Sequence, residues 1–141
     1  MISTARTEWS SDLMSGSGST TLASGVGTFA VNWKARSEGV DGTTTPEELL
    51  AAAHASCYSM ALSNGLAQAG HPPASVTTDA RVTFVPGQGI TAIELAVVAS
   101  VPGMDQESFA AAALDAKANC PVSQALRAVP IELVEATLTQ S

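Results

Sequence analysis

The feature that most constrains the fold is one long helix that is apolar on nearly every side. Thr45 is a good N-cap, Pro46 suits the first helical position, and Glu48 completes a Thr-x-x-Glu capping box. The pattern predicts a helix from Pro46 to about Ala69, ended by Gly70. Its apolar positions include Leu49, Leu50, Ala53, Cys57, Met60, Ala61 and Leu66. Because little of the surface is polar, we expect this helix to be buried in the core.

The first 35 residues are polar and rich in Ser, Thr and Gly, and they predict a small antiparallel meander. Its strand patterns cover Ala5–Trp9, Thr20–Ser24 and Thr28–Lys34. Turns are predicted at Gly16–Gly18 and at Gly25–Gly27, because glycine favours reversals of the chain. A loop from Arg36 to Gly42 is expected before the long helix.

After the long helix, alternating apolar residues predict further strands joined by a hairpin. In the second of these strands, one face carries Ile93, Leu95, Val97, Ala99 and Val101. The predicted elements are strands Val76–Val85 and Ile90–Val101, a helix from Asp105 to Ala118, a short helix Pro121–Ala128, and a strand Ile131–Leu138. The order β-β-β-α-β-β-α-α-β indicates an α+β fold with sheets around buried helices.

Length and charge limit the classes of protein to which this chain can belong. Its 141 residues predict a single domain, 1–141, and the 45% hydrophobic content is enough for a core. The net charge of −7 argues against binding nucleic acid or an anionic membrane surface. No apolar run approaches a membrane span, and the N-terminus does not read as a signal peptide. We therefore expect a cytoplasmic protein.

The two cysteines lie in different settings, and their settings indicate redox chemistry. Cys57 falls inside the long helix, whereas Cys120 precedes Pro121 at the start of a new helix. Partial positive charge at a helix N-terminus favours thiolate at Cys120. In the cytoplasm two cysteines are more often catalytic or metal-binding than a permanent disulfide. A buried apolar thiol without chemistry is the alternative for Cys57.

Two motifs resemble those of a known family. The segment Thr45-Pro-Glu-Glu-Leu-Leu-Ala-Ala-Ala-His-Ala-Ser-Cys57 resembles the signature helix of the OsmC/Ohr family, and Ala118-Asn-Cys-Pro-Val-Ser123 resembles its second cysteine motif. The sequence Ala-His-Ala-Ser-Cys favours the OsmC-like branch. The resemblance spans essentially the whole chain and includes Trp9 and Arg36. It implies an OsmC-like fold, with antiparallel sheets around two buried central helices in an intertwined homodimer.

The resemblance also implies a function. Members of the family are thiol-dependent peroxidases that reduce organic hydroperoxides to alcohols, and hydrogen peroxide more weakly. It implies that Cys57 attacks the peroxide and that Cys120 resolves the resulting sulfenic acid as a disulfide. It implies Arg36 and Glu47 as the charged pair that activates the thiol. A dithiol, such as a lipoylated protein, would restore both thiols, and no cofactor or metal is implied.

The position of Glu47 in the sequence limits how it can act on Cys57. Glu47 and Cys57 are ten residues apart, which corresponds to about 15 Å of rise on a continuous helix. A glutamate side chain cannot bridge that distance. If Glu47 works beside Cys57, either the helix is broken near its start or the glutamate comes from a partner chain.

Other functions use the same residues. A Cys57–His54 pair would suit an acyl transferase or hydrolase, although we interpret His54 as a packed or hydrogen-bonded residue. A non-enzymatic module that binds a hydrophobic ligand is a further alternative. Zinc binding is disfavoured because the cysteines and histidines lack ligand spacing. Apolar residues that are candidates to line a pocket for an alkyl tail are Met60, Phe84, Met104 and Phe109.

Overall fold

The structure, a computed structural model, describes residues 1–139. Its elements in chain order are β1 (Ala5–Ser10), β2 (Ser17–Leu22), β3 (Thr28–Val31), α1 (Trp33–Glu38), α2 (Pro46–Gln68), β4 (Ser75–Val85), β5 (Gly89–Ser100), α3 (Gln106–Asn119), α4 (Pro121–Ala125) and β6 (Ile131–Thr139). The chain divides between Leu49 and Leu50 into two compact units. The order confirms the predicted α+β class and adds one helix, α1.

The first unit contains an antiparallel sheet in which β2 lies between β1 and β3. The predicted turn at Gly16–Gly18 is wrong, because β2 already begins at Ser17. The chain reverses just before it, where the Asp12 carboxylate accepts hydrogen bonds from two backbone N–H groups. Gly16 is required there because an added Cβ would collide with the carbonyl oxygen of Asp12. The predicted turn at Gly25–Gly27 is confirmed, with Gly25 at φ +82°.

Helix α1 replaces the end of a predicted strand and the start of a predicted loop. The Asn32 side chain accepts a hydrogen bond from the Ala35 N–H at 2.7 Å and so caps the helix. Gly39, at φ +78°, ends the helix and returns its N–H to the Ala35 carbonyl. These two caps outweigh the strand propensity of the preceding residues. Arg36 therefore lies in the last turn of a helix and not in a loop.

Almost no apolar side chain is buried in the first unit. Ala35 is its one buried hydrophobic residue, at 5% exposure. Large apolar side chains of this unit that remain exposed are Met1, Ile2, Trp9, Leu13, Met14, Val26, Phe29 and Val40. A segment of about 50 residues is near the lower limit for an independent core even when its apolar groups are buried. Within a single chain, the first unit thus lacks the burial that ordinarily stabilises a fold of this size.

Helix α2 begins and ends close to the predicted positions. The Thr45 hydroxyl accepts a hydrogen bond from the Glu48 N–H at 3.0 Å, as the predicted cap requires. The second half of the capping box is absent, because the Glu48 carboxylate instead accepts from the Thr44 hydroxyl at 2.6 Å. At the other end Gly70 adopts φ +86°. The prediction of a boundary set by Thr45 and Gly70 is confirmed.

Burial of α2 is confined to one face in the single chain. The buried stripe contains Glu47, His54, Tyr58, Leu62 and Leu66. The exposed positions are themselves largely apolar, and they include Pro46, Ala52, Ala53, Met60, Gly65 and Ala67. The expectation that α2 is buried all round is therefore met on one face only. An apolar face open to water usually marks a surface at which another molecule packs.

The second unit contains a three-stranded sheet with β5 in the centre. Strands β4 and β5 form the predicted antiparallel hairpin, whereas β6 pairs with β5 in parallel. The expectation of antiparallel sheets therefore fails for this one pair. The parallel arrangement follows from the intervening helices α3 and α4, which return the chain to the starting end of β5.

The core of the second unit lies between its sheet and its helices. The predicted inward face of β5 is confirmed, since all five residues from Ile93 to Val101 at alternate positions are at most 4% exposed. Tyr58, Leu62 and Leu66 of α2 and Phe109 and Ala113 of α3 complete the same cluster. Cys120 belongs to this cluster as well, so the second cysteine is enclosed by the packed core of the unit.

Candidate active site

The two cysteines lie side by side in the second unit. Cys57 is in the middle of α2 and is partly exposed, whereas Cys120 is fully buried immediately before α4. Both are free thiols, and their side chains are hydrogen-bonded to each other. The fold thus brings together two residues that are 63 positions apart in the sequence. A neighbouring thiol pair is the arrangement needed for reversible disulfide formation.

Cys120 is the thiol that this environment favours as thiolate. Burial by itself raises the pKa of Cys120, but four hydrogen bonds outweigh it and the pKa is lowered. They come from the backbone N–H and hydroxyl of Ser123, the thiol of Cys57, and the N–H of Val122. Hydrogen bonds donated to the charged form stabilise it. The lowered pKa agrees with the position of Cys120 before the start of a helix.

The pKa of Cys57 is shifted in the opposite direction, upward. Burial raises the pKa of Cys57, and its hydrogen bond to Cys120 raises it further, while the N–H of Val122 acts to lower it. Since attack on a peroxide requires thiolate, Cys57 needs an additional cation or donor before it can be the attacking residue.

Cys57 opens onto a cavity of about 740 Å³ formed by α2, α3 and the start of α4. Met60 lines this cavity and is 71% exposed. Of the four apolar residues expected to line a pocket, Met60 is thus found beside Cys57. Phe109 belongs to the fully buried core, and Met104 packs against that core. The cavity gives a small molecule access to Cys57 but not directly to the buried Cys120.

His54 is buried and hydrogen-bonded, as interpreted from the sequence. Its Nε2 lies 2.7 Å from the Ser123 hydroxyl oxygen, and its Nδ1 has no partner among the described residues. Burial lowers the pKa of His54. Ser123 was not recognised as a site residue from the sequence. The sequence did offer a signal, because Ser123 lies three residues after Cys120 at a helix start. The N–H and side chain of a residue in that position often hydrogen-bond the residue that precedes the helix.

Arg36 and Glu47 form a close ion pair within the first unit. Arg36 Nε and Nη2 donate to the same carboxylate oxygen of Glu47, at 2.9 and 2.7 Å. The Glu47 side chain is only 7% exposed and that of Arg36 is 31% exposed. The structure thus brings these two predicted site residues together. A buried carboxylate needs such a partner, because an isolated charge is costly to remove from water.

Beside Arg36 lies a cavity of about 330 Å³ in the first unit. Its walls are mostly aromatic and aliphatic, and they include Trp9, Leu13, Val31, Trp33 and Leu49. An apolar cavity with one fixed charge at its side suits an amphipathic small molecule. None of its wall residues was predicted to line a pocket, although Arg36 was predicted as the activating charge.

Helix α2 runs without a break from Pro46 to Gln68. Of the two conditions under which Glu47 works beside Cys57, a break near the helix start is therefore excluded.

No described helix is long and apolar enough to span a membrane. Among residues 1–139, no three His, Cys, Asp or Glu side chains cluster as a metal site would require.

Comparisons with known proteins agree with the cysteine motifs. Residues 39–134 match the model of the family described as OsmC-like protein. The chain is 44% identical over 124 residues to Peroxiredoxin OsmC of Escherichia coli strain K12, covering 85% of this chain and 86% of the relative.

Solved structures show the same fold at lower identity. An organic hydroperoxide resistance protein from Elizabethkingia anophelis has a TM-score of 0.70 at 24% identity, covering 100% of this chain and 99% of that one. An OsmC protein from Legionella pneumophila has a TM-score of 0.70 at 21% identity, covering 95% and 96%. The family match and the 44% identical relative lead to one conclusion: this chain belongs to the OsmC-like protein family.

Proposed function

We propose that the chain is a thiol-dependent peroxidase that reduces organic hydroperoxides, and hydrogen peroxide more weakly. The observation that carries the proposal is the hydrogen-bonded pair of free thiols, one open to a cavity and one buried. Membership of a family with a relative named Peroxiredoxin OsmC supports the same activity. We propose that the reaction takes place in the cytoplasm, where cysteines are kept reduced between turnovers.

The proposed reaction has three steps. Cys57 thiolate attacks the distal, hydroxyl oxygen of the hydroperoxide and the O–O bond breaks. Cys57 is oxidised to sulfenic acid, and the alkoxide leaves as the alcohol after taking a proton from solvent. Cys120 thiolate then attacks the Cys57 sulfur and displaces hydroxide, which takes a proton to become water. A dithiol, such as a lipoylated protein, finally reduces the disulfide by exchange and is itself oxidised.

The first step requires a cation near Cys57, and Arg36 is our candidate. Its guanidinium is permanently charged, and Glu47 fixes its orientation through two hydrogen bonds. Since α2 is continuous, we propose that the Arg36–Glu47 pair acts on the Cys57 of a second copy of the chain. The apolar cavity beside Arg36 then holds the hydrocarbon part of the hydroperoxide.

Two observations support this intertwined homodimer. The first unit fully buries only one hydrophobic side chain, and α2 exposes an apolar face that includes Met60. Burial of both surfaces against a second copy would supply the hydrophobic stabilisation that the single chain lacks. The 1–141 chain is thus proposed as one domain that completes its core by dimerising.

The geometry gives no support to a Cys–His acyl transferase or hydrolase. His54 Nε2 contacts Ser123, and Nδ1 has no partner among the described residues. Neither ring nitrogen is therefore placed to accept the proton of Cys57, which is hydrogen-bonded to Cys120 instead. The buried histidine belongs to the surroundings of the second cysteine.

The test is peroxide consumption by the purified protein with dithiothreitol or dihydrolipoamide as the reductant. Cumene hydroperoxide should be consumed faster than hydrogen peroxide, and the Cys57→Ser variant should be inactive. An exposed serine on the same helix provides a matched control, and Ser56→Ala should retain activity. Wild-type protein that binds cumene hydroperoxide without consuming it would point to the ligand-binding alternative.

A further inference from the structure

A buried hydrogen bond links the middle of α2 to α4 directly behind the second cysteine. His54 Nε2 and the Ser123 hydroxyl oxygen are 2.7 Å apart, and both residues are at most 6% exposed. The Ser123 hydroxyl also hydrogen-bonds the Cys120 thiol. Three polar side chains therefore form a continuous chain, His54–Ser123–Cys120, inside an otherwise apolar core.

The donors in this chain can be assigned. A serine hydroxyl has one hydrogen, and in this arrangement Ser123 donates it to Cys120. Ser123 must then accept from His54, so the imidazole carries its hydrogen on Nε2. Nδ1 is left as a bare acceptor, in agreement with its lack of a partner among the described residues. Burial keeps the ring neutral, since it lowers the pKa of His54.

This arrangement costs stability. A buried acceptor without a protein hydrogen bond destabilises the folded state. An apolar residue at position 54 would avoid that cost and would suit the surrounding core. What His54 contributes is a hydrogen bond that fixes the Ser123 hydroxyl and turns its hydrogen toward Cys120.

We propose that the His54–Ser123 chain makes Cys120 the leaving thiolate of the Cys57–Cys120 disulfide, so that the reducing thiol attacks Cys57. The proposal rests on the proposed function in that both cysteines form that disulfide. In the step, the reductant thiolate bonds to Cys57 sulfur, the S–S bond breaks, and its electron pair goes to Cys120. Ser123 stabilises the thiolate formed, and His54 stabilises the orientation of Ser123.

Exposure favours the same direction of attack. Cys57 lines the open cavity of the second unit, while Cys120 is 0% exposed. Thiol exchange is faster at the accessible sulfur and when the leaving thiol is the better stabilised one. Both criteria select Cys57 as the sulfur attacked and Cys120 as the sulfur released. His54 and Ser123 are positioning residues in this scheme, since neither touches the reductant.

The titratable groups around Cys120 are limited in number. Cys57, His54 and Tyr58 approach it from α2. Asp115 of α3 lines the cavity on the Cys57 side. Lys117 and Arg127 line a cavity on the Ser123 side. Cys57 is the other thiol beside Cys120, so a Cys57→Ser background leaves Cys120 as the one thiol that titrates among residues 1–139.

The first experiment measures the Cys120 titration without any peroxidase activity. In the Cys57→Ser variant, thiolate absorbance near 240 nm is followed against pH. Adding Ser123→Ala should raise the Cys120 midpoint by about one pH unit, a tenfold loss of thiolate below it. Ser123→Thr should restore the midpoint, and His54→Leu should produce part of the shift. Ser59→Ala, which removes a partly buried serine of α2, should leave it unchanged.

The second experiment locates the attack. The protein is oxidised with diamide, treated with N-acetylcysteine, quenched with iodoacetamide, and analysed by peptide mass spectrometry. The adduct should occur on Cys57 at least tenfold more often than on Cys120, and Ser123→Ala should reduce that ratio. An adduct mainly on Cys120, or an unchanged Cys120 midpoint in folded Ser123→Ala, would overturn the proposal. Because diamide forms the disulfide, a missing peroxidase activity would not affect this result.

Discussion

Arg36 directs two nitrogen donors at one carboxylate oxygen of Glu47, at 2.9 and 2.7 Å. The glutamate is nearly buried and the arginine is partly exposed, so the pair holds a cation at the surface of the first unit. The geometry makes each residue depend on the other. Glu47 without Arg36 is an uncompensated buried charge, and Arg36 without Glu47 loses its orientation.

Removal of either member of this pair should slow oxidation of Cys57, and Arg36→Ala should also lower stability because it leaves the Glu47 carboxylate buried without this partner. A loss of the cation that raises the Cys57 pKa by one unit reduces the thiolate fraction at neutral pH about tenfold. Arg36→Ala should therefore slow oxidation roughly tenfold, Glu47→Ala less, and the double variant no more than Arg36→Ala. The measurement is the second-order rate of Cys57 oxidation, and non-additivity indicates that the residues act together.

A matched control exists in the second unit. Arg81 faces Glu94 at 3.8 Å, but its side chain is 78% exposed, and such surface pairs contribute little. Arg81→Ala should leave the oxidation rate unchanged. Equal losses in Arg36→Ala and Arg81→Ala, or fully additive losses in the Arg36 and Glu47 cycle, would remove Arg36 as the activating cation.

The two cysteines should give different phenotypes when replaced by serine. Cys57→Ser should abolish peroxide reduction, because a serine hydroxyl does not ionise near neutral pH. Cys120→Ser should consume one equivalent of peroxide per subunit and then lose activity through overoxidation of Cys57. Single-turnover consumption and the mass of Cys57 report both outcomes. Loss of the first turnover in Cys120→Ser alone would reverse the assigned roles.

The pH dependence of oxidation should reveal when Cys57 lacks its cation. Burial and the bond to Cys120 raise the pKa of Cys57, so neutral pH lies below it and thiolate is scarce. In Arg36→Ala the rate should rise about tenfold per pH unit between pH 6 and 8. The wild-type profile should be flatter, since Arg36 stabilises the thiolate. Stopped-flow oxidation at fixed peroxide checks this, and superimposable profiles would contradict it.

Tyr58 should make the protein sensitive to alkali. Its buried hydroxyl donates to the Ala113 carbonyl at 2.9 Å, and burial together with the nearby Cys120 charge raises its pKa far above normal. The unfolded state releases the phenolic proton near pH 10, so stability is lost as pH rises above that value. Above that pH the free energy of unfolding should fall by up to about 1.4 kcal/mol per pH unit.

Chemical denaturation between pH 8 and 11.5 tests this role of Tyr58. Tyr58→Phe should cost about 1–3 kcal/mol at neutral pH, because a buried hydrogen bond is lost. Above pH 10 the free energy of unfolding of this variant should also decrease less steeply with pH than that of the wild type. An equal decline in wild type and Tyr58→Phe would assign the alkaline sensitivity to another group.

The exposed apolar face of α2 should be a dimer contact. Met60 is 71% exposed in the single chain, and a charge placed there would be buried without a partner in the dimer. Met60→Lys should shift sedimentation toward monomer and weaken peroxidase activity. Gln88→Lys adds the same charge at an exposed hairpin turn and should remain dimeric. A stable wild-type monomer at micromolar concentration would contradict the dimer.

Much of the fold was predictable because its signals are local. Thr45, Pro46 and Gly70 mark the ends of α2, and the alternation from Ile93 to Val101 marks the buried face of β5. Helix α1 was missed because the Asn32 cap competed with strand-forming neighbours. The parallel pairing of β6 with β5 could not be predicted, since it depends on how α3 and α4 return the chain.

The candidate site likewise combines features that the sequence predicts with features that depend on the fold. The adjacency of Cys57 and Cys120 followed from two motifs that resemble those of a family, and the structure places the thiols together. The His54–Ser123 bond spans 69 positions, so no local pattern contains it. The lowered pKa of Cys120 agrees with its predicted position before a helix, whereas the raised pKa of Cys57 comes from burial and from Cys120, which only the fold brings next to it.

The first 49 residues bury a single hydrophobic side chain of their own, and this has a consequence for the life of a newly made chain. If the apolar groups are covered only by a second copy, acquisition of the native state is a bimolecular event. The melting temperature should then rise with protein concentration. Until two copies meet, the N-terminal third of each remains open to proteases and chaperones, so cellular abundance of the enzyme depends on its rate of synthesis.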